Sequence, residues 1–285
     1  MLTGVGLPAA VPGAGGRRIP EWASRAEEYG FATLGVLDRL VYDNYEPVVA
    51  LAAAAAVTSR ISLATTVLTA PYRNNTPLLA KQLASVDRLS GGRLTLGLAA
   101  GNRDDDFLVS GVAPAGRGPR LDAMVRELRG LWAGDVPDGA ADPVGPAPRR
   151  SPPLVFGGTS AAAFRRTALY GDGWIAGGSS PSGYRSTARR VTAAWDRHGR
   201  TGRPRLMTLL YFALGPGADR LAERYLLNYY AFSGRERSIV AMALTGPGRL
   251  RDAMKEYEDA GCDEIVFVPC GSGPDQLDRL ADAAL

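Results

Sequence analysis

The chain has 285 residues, 33 basic and 29 acidic side chains, a single histidine and a net charge of +4. Its 46% hydrophobic content is ample for a sizeable buried core. The mild positive balance sits in scattered doublets such as Arg17-Arg18 and Arg189-Arg190. With no basic stripe interleaved with aromatics, it argues against a nucleic-acid surface, and no apolar run reaches the ~18 residues of a membrane span.

In chain order, two kinds of segment alternate. Short, continuously apolar runs fall at Leu2–Leu7, Ala32–Leu37, Ile61–Leu68, Leu94–Leu98, Leu154–Phe156, Gly173–Ala176, Leu206–Leu214 and Glu264–Val268. Continuous rather than alternating polarity is the pattern of parallel strands covered on both faces. The first run belongs to MLTGVGLPAAVPGAGGRR, where the arginines follow the apolar part; it reads as a strand and loop, not a secretory signal.

Helix patterns fill the intervals. Pro20 suits the first turn of a helix that Gly30 ends. The Ala-rich run EPVVALAAAAAVTSR is helix-prone, and TPLLAKQLASVDRLSGG shows a period near 3.6 before Gly91-Gly92. Further helices are expected around Leu121–Trp132, Ala161–Tyr170, Gly183–Arg197, Ala218–Phe232 and Arg249–Ala260. Eight strands alternating with about eight helices predict a single-domain (β/α)8 TIM barrel. A doubly wound open sheet is second choice, because no Gly-x-Gly-x-x-Gly follows the first strand. Gly134–Pro153 holds six prolines and reads as a long loop, a candidate lid. Cys262 and Cys270 flank DEIVFVP; a strand there, at ~3.3 Å per residue, separates the sulfurs beyond disulfide reach, so a reducing cytoplasm is expected.

In a barrel, chemistry sits on the loops after the strands. These are Asp38-Arg39, Thr69–Asn75, Ala99–Asp106, Gly157–Ser160 and Gly177–Ser180. The last two lead straight into helices. Glycine admits a ligand close to the backbone, and N–H groups at a helix start attract phosphate. Gly157-Gly158-Thr159 and Gly177-Gly178-Ser179 are therefore candidate phosphate loops, against a plain turn with a Ser or Thr cap.

Other chemistries are disfavoured. His198, in DRHGR at a helix end, reads as a helix-terminus charge partner, which removes a Ser-His-Asp triad or a histidine zinc site. Lys81 and Lys255 fall within helices, against Schiff-base catalysis. Asp104-Asp105-Asp106 reads as a solvated helix start rather than a magnesium site, and no metal is expected. A barrel with phosphate loops and few acid–base groups suits a cofactor that carries its own chemistry.

ISLATTVLTAPYRNNTPLLAKQLASVDRLSGGRLTLGLAAG resembles the most recognisable segment of the luciferase-like monooxygenase family. So do AEEYGFATLGVLDRL, GRGPRLDAMVRELRGLWAGD, PPLVFGGTSAAAFRRTALYGDGWIAGG and AGCDEIVFVP, in family order along nearly the whole chain. The resemblance implies FMN, or the deazaflavin coenzyme F420, bound at the barrel mouth. It implies a non-prolyl cis peptide at Thr66-Val67 or within a residue of it, against the cofactor ring. Asn74, Gly101 and Asn102 would lie near the ring or ribityl chain, or else serve as turn residues.

The departures matter as well. Many relatives have Asp-His where this chain has Asp38-Arg39. Deazaflavin-linked sugar-phosphate dehydrogenases carry a glutamate where Asn102 stands, and bacterial luciferase a phosphate-binding arginine at the position of Ala100. Arg39 suits an anionic substrate or cofactor group, or a salt bridge to Asp38 or Glu46.

Three functions are expected in order. The first is a two-component monooxygenase using reduced FMN from a separate flavin reductase, O₂ and a small-molecule substrate. The second is F420-dependent hydride transfer, and the third a non-catalytic flavin-binding protein. Tyr42, Tyr45, Tyr72, Trp174, Tyr211 and Phe212 are candidates for an aromatic pocket or for barrel packing. Leu79, Leu83 and Val86 are candidates for a homodimer face, or for packing on the barrel.

Overall fold

A computed structural model describes all residues, 1–285. Eight parallel strands close into a barrel in sequence order, each pairing with its neighbours and β8 returning to β1. They are β1 Leu2–Gly6, β2 Thr33–Val36, β3 Ser62–Thr69, β4 Leu94–Ala99, β5 Leu154–Gly157, β6 Gly173–Gly177, β7 Arg205–Phe212 and β8 Glu264–Pro269. All eight expected runs are strands, displaced by no more than two residues at either end.

Local chemistry accounts for the helix limits. Helix α1 (Arg18–Tyr29) starts two residues before Pro20 and ends on Gly30 at φ 91°, a left-handed cap that glycine adopts without strain. Glu46 caps α2 (Pro47–Val57) by accepting from the Val49 N–H, and Asn75 caps α3 (Thr76–Leu89) through Leu78. Ser160 caps α6 (Ala161–Tyr170) and Ser180 caps α7 (Pro181–Arg197). Between them lie α4 (Asp104–Val109) and α5 (Arg117–Ala133).

Eleven helices form where about eight are expected; eight of them surround the barrel, and the assignment differs near the end. Ala218–Phe232 forms α8 (Ala218–Tyr229), but with α9 (Glu236–Ala241) it belongs to an insertion over the barrel mouth. The barrel helix after β7 is α10 (Pro247–Asp259), and the eighth is α11 (Pro274–Ala284), where no element was expected. Leu277, Leu280 and Ala281 carry α11 into the core at helical spacing.

Leu79, Leu83 and Val86 lie buried in the main core between α3 and the barrel, so they offer no face to a second copy. Residues 134–153 form no helix or strand, as expected. They join α5 to β5, however, and so lie at the end of the barrel where strands begin. Lys81 Nζ donates to Gly145 O at 2.7 Å and the Arg149 N–H to Asp87 Oδ2 at 2.8 Å, holding the segment against α3. A lid over the mouth is excluded for it. Cys262 and Cys270 are free and buried on either side of β8.

Strands β3 and β4 shift register between Thr65 and Leu68, where the Thr66-Val67 peptide is cis. Gly97 on β4 makes this approach possible: a Cβ there would stand 2.1 Å from the Thr65 carbonyl oxygen. The Thr65 hydroxyl donates to Gly97 O at 2.7 Å and that of Thr66 to Val36 O at 3.1 Å, tying three strands together at the mouth.

Candidate functional site

A cavity of about 810 Å³ opens at the carboxyl ends of the strands. Thr66, Val67, Gly101, Asn102, Gly157, Gly158, Thr159, Gly177 and Gly178 all line it, and so do Asp38 and Arg39. Residues chosen from five separate strand ends thus converge on one space. Two candidates stand apart. The Asn74 amide points to Ser110 O at 3.5 Å and is not in the wall. Ser179 lines an adjoining cavity of about 410 Å³ between α7 and α10, which shares Gly178 and Tyr211 with the first.

One half of the mouth is built of backbone. The N–H groups of Gly158, Thr159 and Ser160 after β5, and of Gly178, Ser179 and Ser180 after β6, find no backbone acceptor in the chain. Each trio opens a helix, so the partial positive charge of the helix start adds to the free donors. Glycine is needed here for different reasons. Gly158 has φ 116°, whereas a Cβ on Gly177 or Gly178 would meet no atom within 4 Å and would occupy open cavity. The loops are fixed from behind: the Trp174 indole donates to Gly158 O at 2.8 Å, and the Tyr257 hydroxyl donates to Ser179 O. Free donors, helix starts and space held open by glycines fit a phosphate-bearing group.

The other half is built of side chains. Asp38 is completely enclosed and accepts from Thr69 N at 2.7 Å, Tyr72 Oη at 2.8 Å and both terminal nitrogens of Arg73 at 2.8 and 3.2 Å. Burial opposes the Arg73 charge, but the Asp38 carboxylate outweighs it and raises the guanidinium pKa. Burial first, then the same carboxylate, pushes the Tyr72 hydroxyl up. Asp38 therefore serves as an anchor, with no oxygen left over for a substrate proton.

The salt bridge considered for Arg39 is made by Arg73 instead, which spans Asp38 and Glu46. Adjacent residues at a strand end point to opposite sides, and Arg39 turns toward the insertion. Its Nη1 donates to Tyr229 O at 2.7 Å and its Nη2 to Val41 O at 3.1 Å. Its guanidinium lies over the rings of Tyr42, Tyr229 and Phe232 at 4.6, 4.9 and 5.5 Å. Arg103 covers Phe232 at 4.1 Å while bonding Asp105 at 2.6 Å. Asp106 is buried and accepts from the Leu40 and Val41 N–H groups, so it clamps the loop that carries Arg39. Asp104 pairs with Arg117.

Of the proposed aromatics, Trp174 and Tyr211 line the cavity, Tyr42 flanks it through Arg39, and Tyr72 supports Asp38 from below. Tyr45 donates to Ala14 O and Phe212 is core. Sequence reasoning passed over Tyr229, Tyr230 and Phe232, although the run YLLNYYAF is dense enough in aromatics to single out. The hydroxyls of Tyr211 and Tyr230 pair at 2.8 Å, and burial pushes both pKa values up. His198 lies at the far end of α7 with Nδ1 against Ala194 O, away from the mouth.

The sequence profile described as luciferase-like monooxygenase matches residues 2–282. The chain belongs to that family. Among curated relatives, an uncharacterized protein of Mycobacterium tuberculosis is 35% identical over 163 residues, 55% of this chain and 56% of its own. An F420-dependent glucose-6-phosphate dehydrogenase of Amycolatopsis mediterranei is 31% identical over 140 residues, covering 46% and 42%. The chain thus spans about half the length of such relatives.

Among solved structures, an F420-dependent secondary alcohol dehydrogenase in complex with an F420–acetone adduct superposes with TM-score 0.82 at 17% identity, covering 99% and 98%. The monooxygenase RslO1 from Streptomyces bottropensis gives 0.78 at 21%, covering 100% and 98%. These last two likenesses concern the fold. No helix is long and apolar enough to cross a membrane.

Proposed function

We propose that this chain reduces a small organic substrate with the deazaflavin coenzyme F420, held at the barrel mouth. The reading is carried by the two trios of free N–H groups around space that Gly177 and Gly178 keep open. Gly157, Gly158 and Thr159 with Gly177, Gly178 and Ser179 would hold the cofactor phosphate, and Thr66, Val67, Gly101 and Asn102 the ring and its chain. When bound, the cofactor supplies hydride. The likeness to F420-dependent glucose-6-phosphate dehydrogenases favours F420 over FMN. Asn102 stands where sugar-phosphate dehydrogenases of that kind carry glutamate, which speaks against sugar phosphate as the substrate.

The chain's own groups favour the reductive direction. Asp38 and Asp106 are committed to hydrogen bonds, which leaves no free carboxylate as a base. Tyr211 and Tyr230, whose hydroxyls pair, line the cavity, and burial keeps both protonated through neutral pH, so neither serves as a base. The insertion lines the mouth from the β7 side through Tyr229, Tyr230, Phe232 and Ile239.

The lack of a base equally favours a second reading, oxygenation of the substrate with FMN that a separate reductase has reduced. Side-by-side fluorescence titration with F420 and FMN tests the choice. The expected result is F420 binding at least ~10-fold tighter than FMN, a difference of about 1.4 kcal/mol. Preference for FMN transfers the proposal to the oxygenase reading, and binding of neither overturns both.

A further inference from the structure

We propose that Arg39, with the ring of Phe232, forms a subsite for the carboxylate of a small aromatic acid, the substrate class of this mouth. The inference rests on the reading of the cavity as a cofactor site, since it assigns the space beside that cofactor.

Arg39 is unlike the other buried charges of the cavity wall. Arg166 is paired with Asp122, Asp38 with Arg73, and Arg103 with Asp105 and Asp106. Arg39 is only 7% exposed, yet no carboxylate lies within ion-pair distance of it. Its two acceptors are neutral carbonyl oxygens, and its Nε has no partner at all. A guanidinium has five N–H donors and stays charged when buried. Most of the Arg39 donors are thus uncommitted, and a buried cation without a counter-ion carries a large desolvation cost. Burial, with the nearby charge of Arg103, already weighs on it and lowers its pKa.

An anion arriving from the cavity relieves that cost. Carboxylate is the matching geometry, since its two oxygens meet the planar fork of a guanidinium. The body of the ligand follows from what surrounds the charge. Tyr229, Tyr230 and Phe232 stand beside Arg39, with Leu37, Leu209 and Ile239 completing an apolar wall. Aromatic edges and faces of this kind receive a flat ring. Arg235, exposed at the rim and free of any ion pair, adds attraction for an anion on its way in.

Calorimetry of the intact protein, with and without its cofactor, tests the subsite using benzoate and its neutral counterpart benzamide. Benzoate is expected to bind at least ~10-fold tighter than benzamide, and Arg39→Met to weaken benzoate by ~10-fold or more while Arg39→Lys restores part of the loss. Phe232→Ala, which removes a half-exposed ring, is expected to weaken benzoate ~3-fold or more and serves if the Arg39 variants do not fold. Equal binding of the two probes, no binding of either, or an unchanged benzoate affinity in the variants overturns the subsite. So does an Arg39→Met variant that loses cofactor and benzoate equally, because Arg39 then serves the cofactor. Selective benzoate binding in a protein that takes up neither F420 nor FMN would sink the cofactor reading and leave the subsite standing.

Discussion

The two halves of the mouth are built by opposite means. After β5 and β6 the wall is backbone: glycines, free N–H groups and the starts of two helices. After β2, β4 and β7 it is side chain: arginines over aromatic rings, clamped by buried aspartates. A backbone cradle recognises a group common to many ligands and tolerates little change of shape. A side-chain wall sets charge and size, and can be altered residue by residue. The first arrangement suits a cofactor and the second a substrate.

Three substitutions would break or sharpen that division. The largest effect is expected at Asp38, which anchors the side-chain half. Asp38→Asn leaves the half-buried Arg73 charge without its main partner and should lower stability by about 3 kcal/mol in urea unfolding. A loss below about 1 kcal/mol would mean that Glu46 alone suffices for Arg73. Next is Gly178→Val in the backbone half. Its side chain enters open cavity, so the unfolding midpoint should hold while cofactor binding falls about 100-fold, or about 2.7 kcal/mol. Benzoate affinity should change less than ~2-fold, and a parallel loss of both ligands would abolish the distinction between the halves.

The smallest effect is expected at the opposite end of the barrel. Glu27 on α1 accepts from the N–H groups of Ser59, Arg60 and Ile61. Burial raises its pKa, but these backbone donors outweigh it and bring the value from 4.5 down to about 2. The stabilisation is therefore complete above pH 4.5 and is lost as pH falls through about 2. Glu27→Gln should cost roughly 1 kcal/mol at neutral pH, with the gap to the parent closing in that acid window and neither ligand affected. A pH-independent gap would assign the loss to packing rather than to charge.

The barrel and the cradle were legible for the same reason: both are encoded locally. A strand buried on two faces shows itself as an apolar run, and Gly157-Gly158 or Gly177-Gly178 before a capping serine announces a helix start whatever the rest of the chain does. The side-chain half is assembled from positions 38–39, 103–106 and 229–232, and no local pattern joins them. Arg39 could be singled out by its place at a strand end and as a substitution for the family histidine. Its true surroundings depend on an insertion that helix periodicity cannot tell from a barrel helix. Asn74 shows the converse error: a polar loop residue at a strand end, spent on a neighbouring carbonyl instead of the cavity.

The proline-rich segment before β5 has a practical side. Residues 138–143 are exposed and lie a full barrel length from the mouth, with the Ala140 N–H to Pro137 O bond local to the tip. Exposed tips with few contacts accept inserted sequence. A biotin-acceptor peptide placed between Asp138 and Gly139 would tether the molecule to a sensor surface by its base. Every copy would then present its open end to the flowing solution.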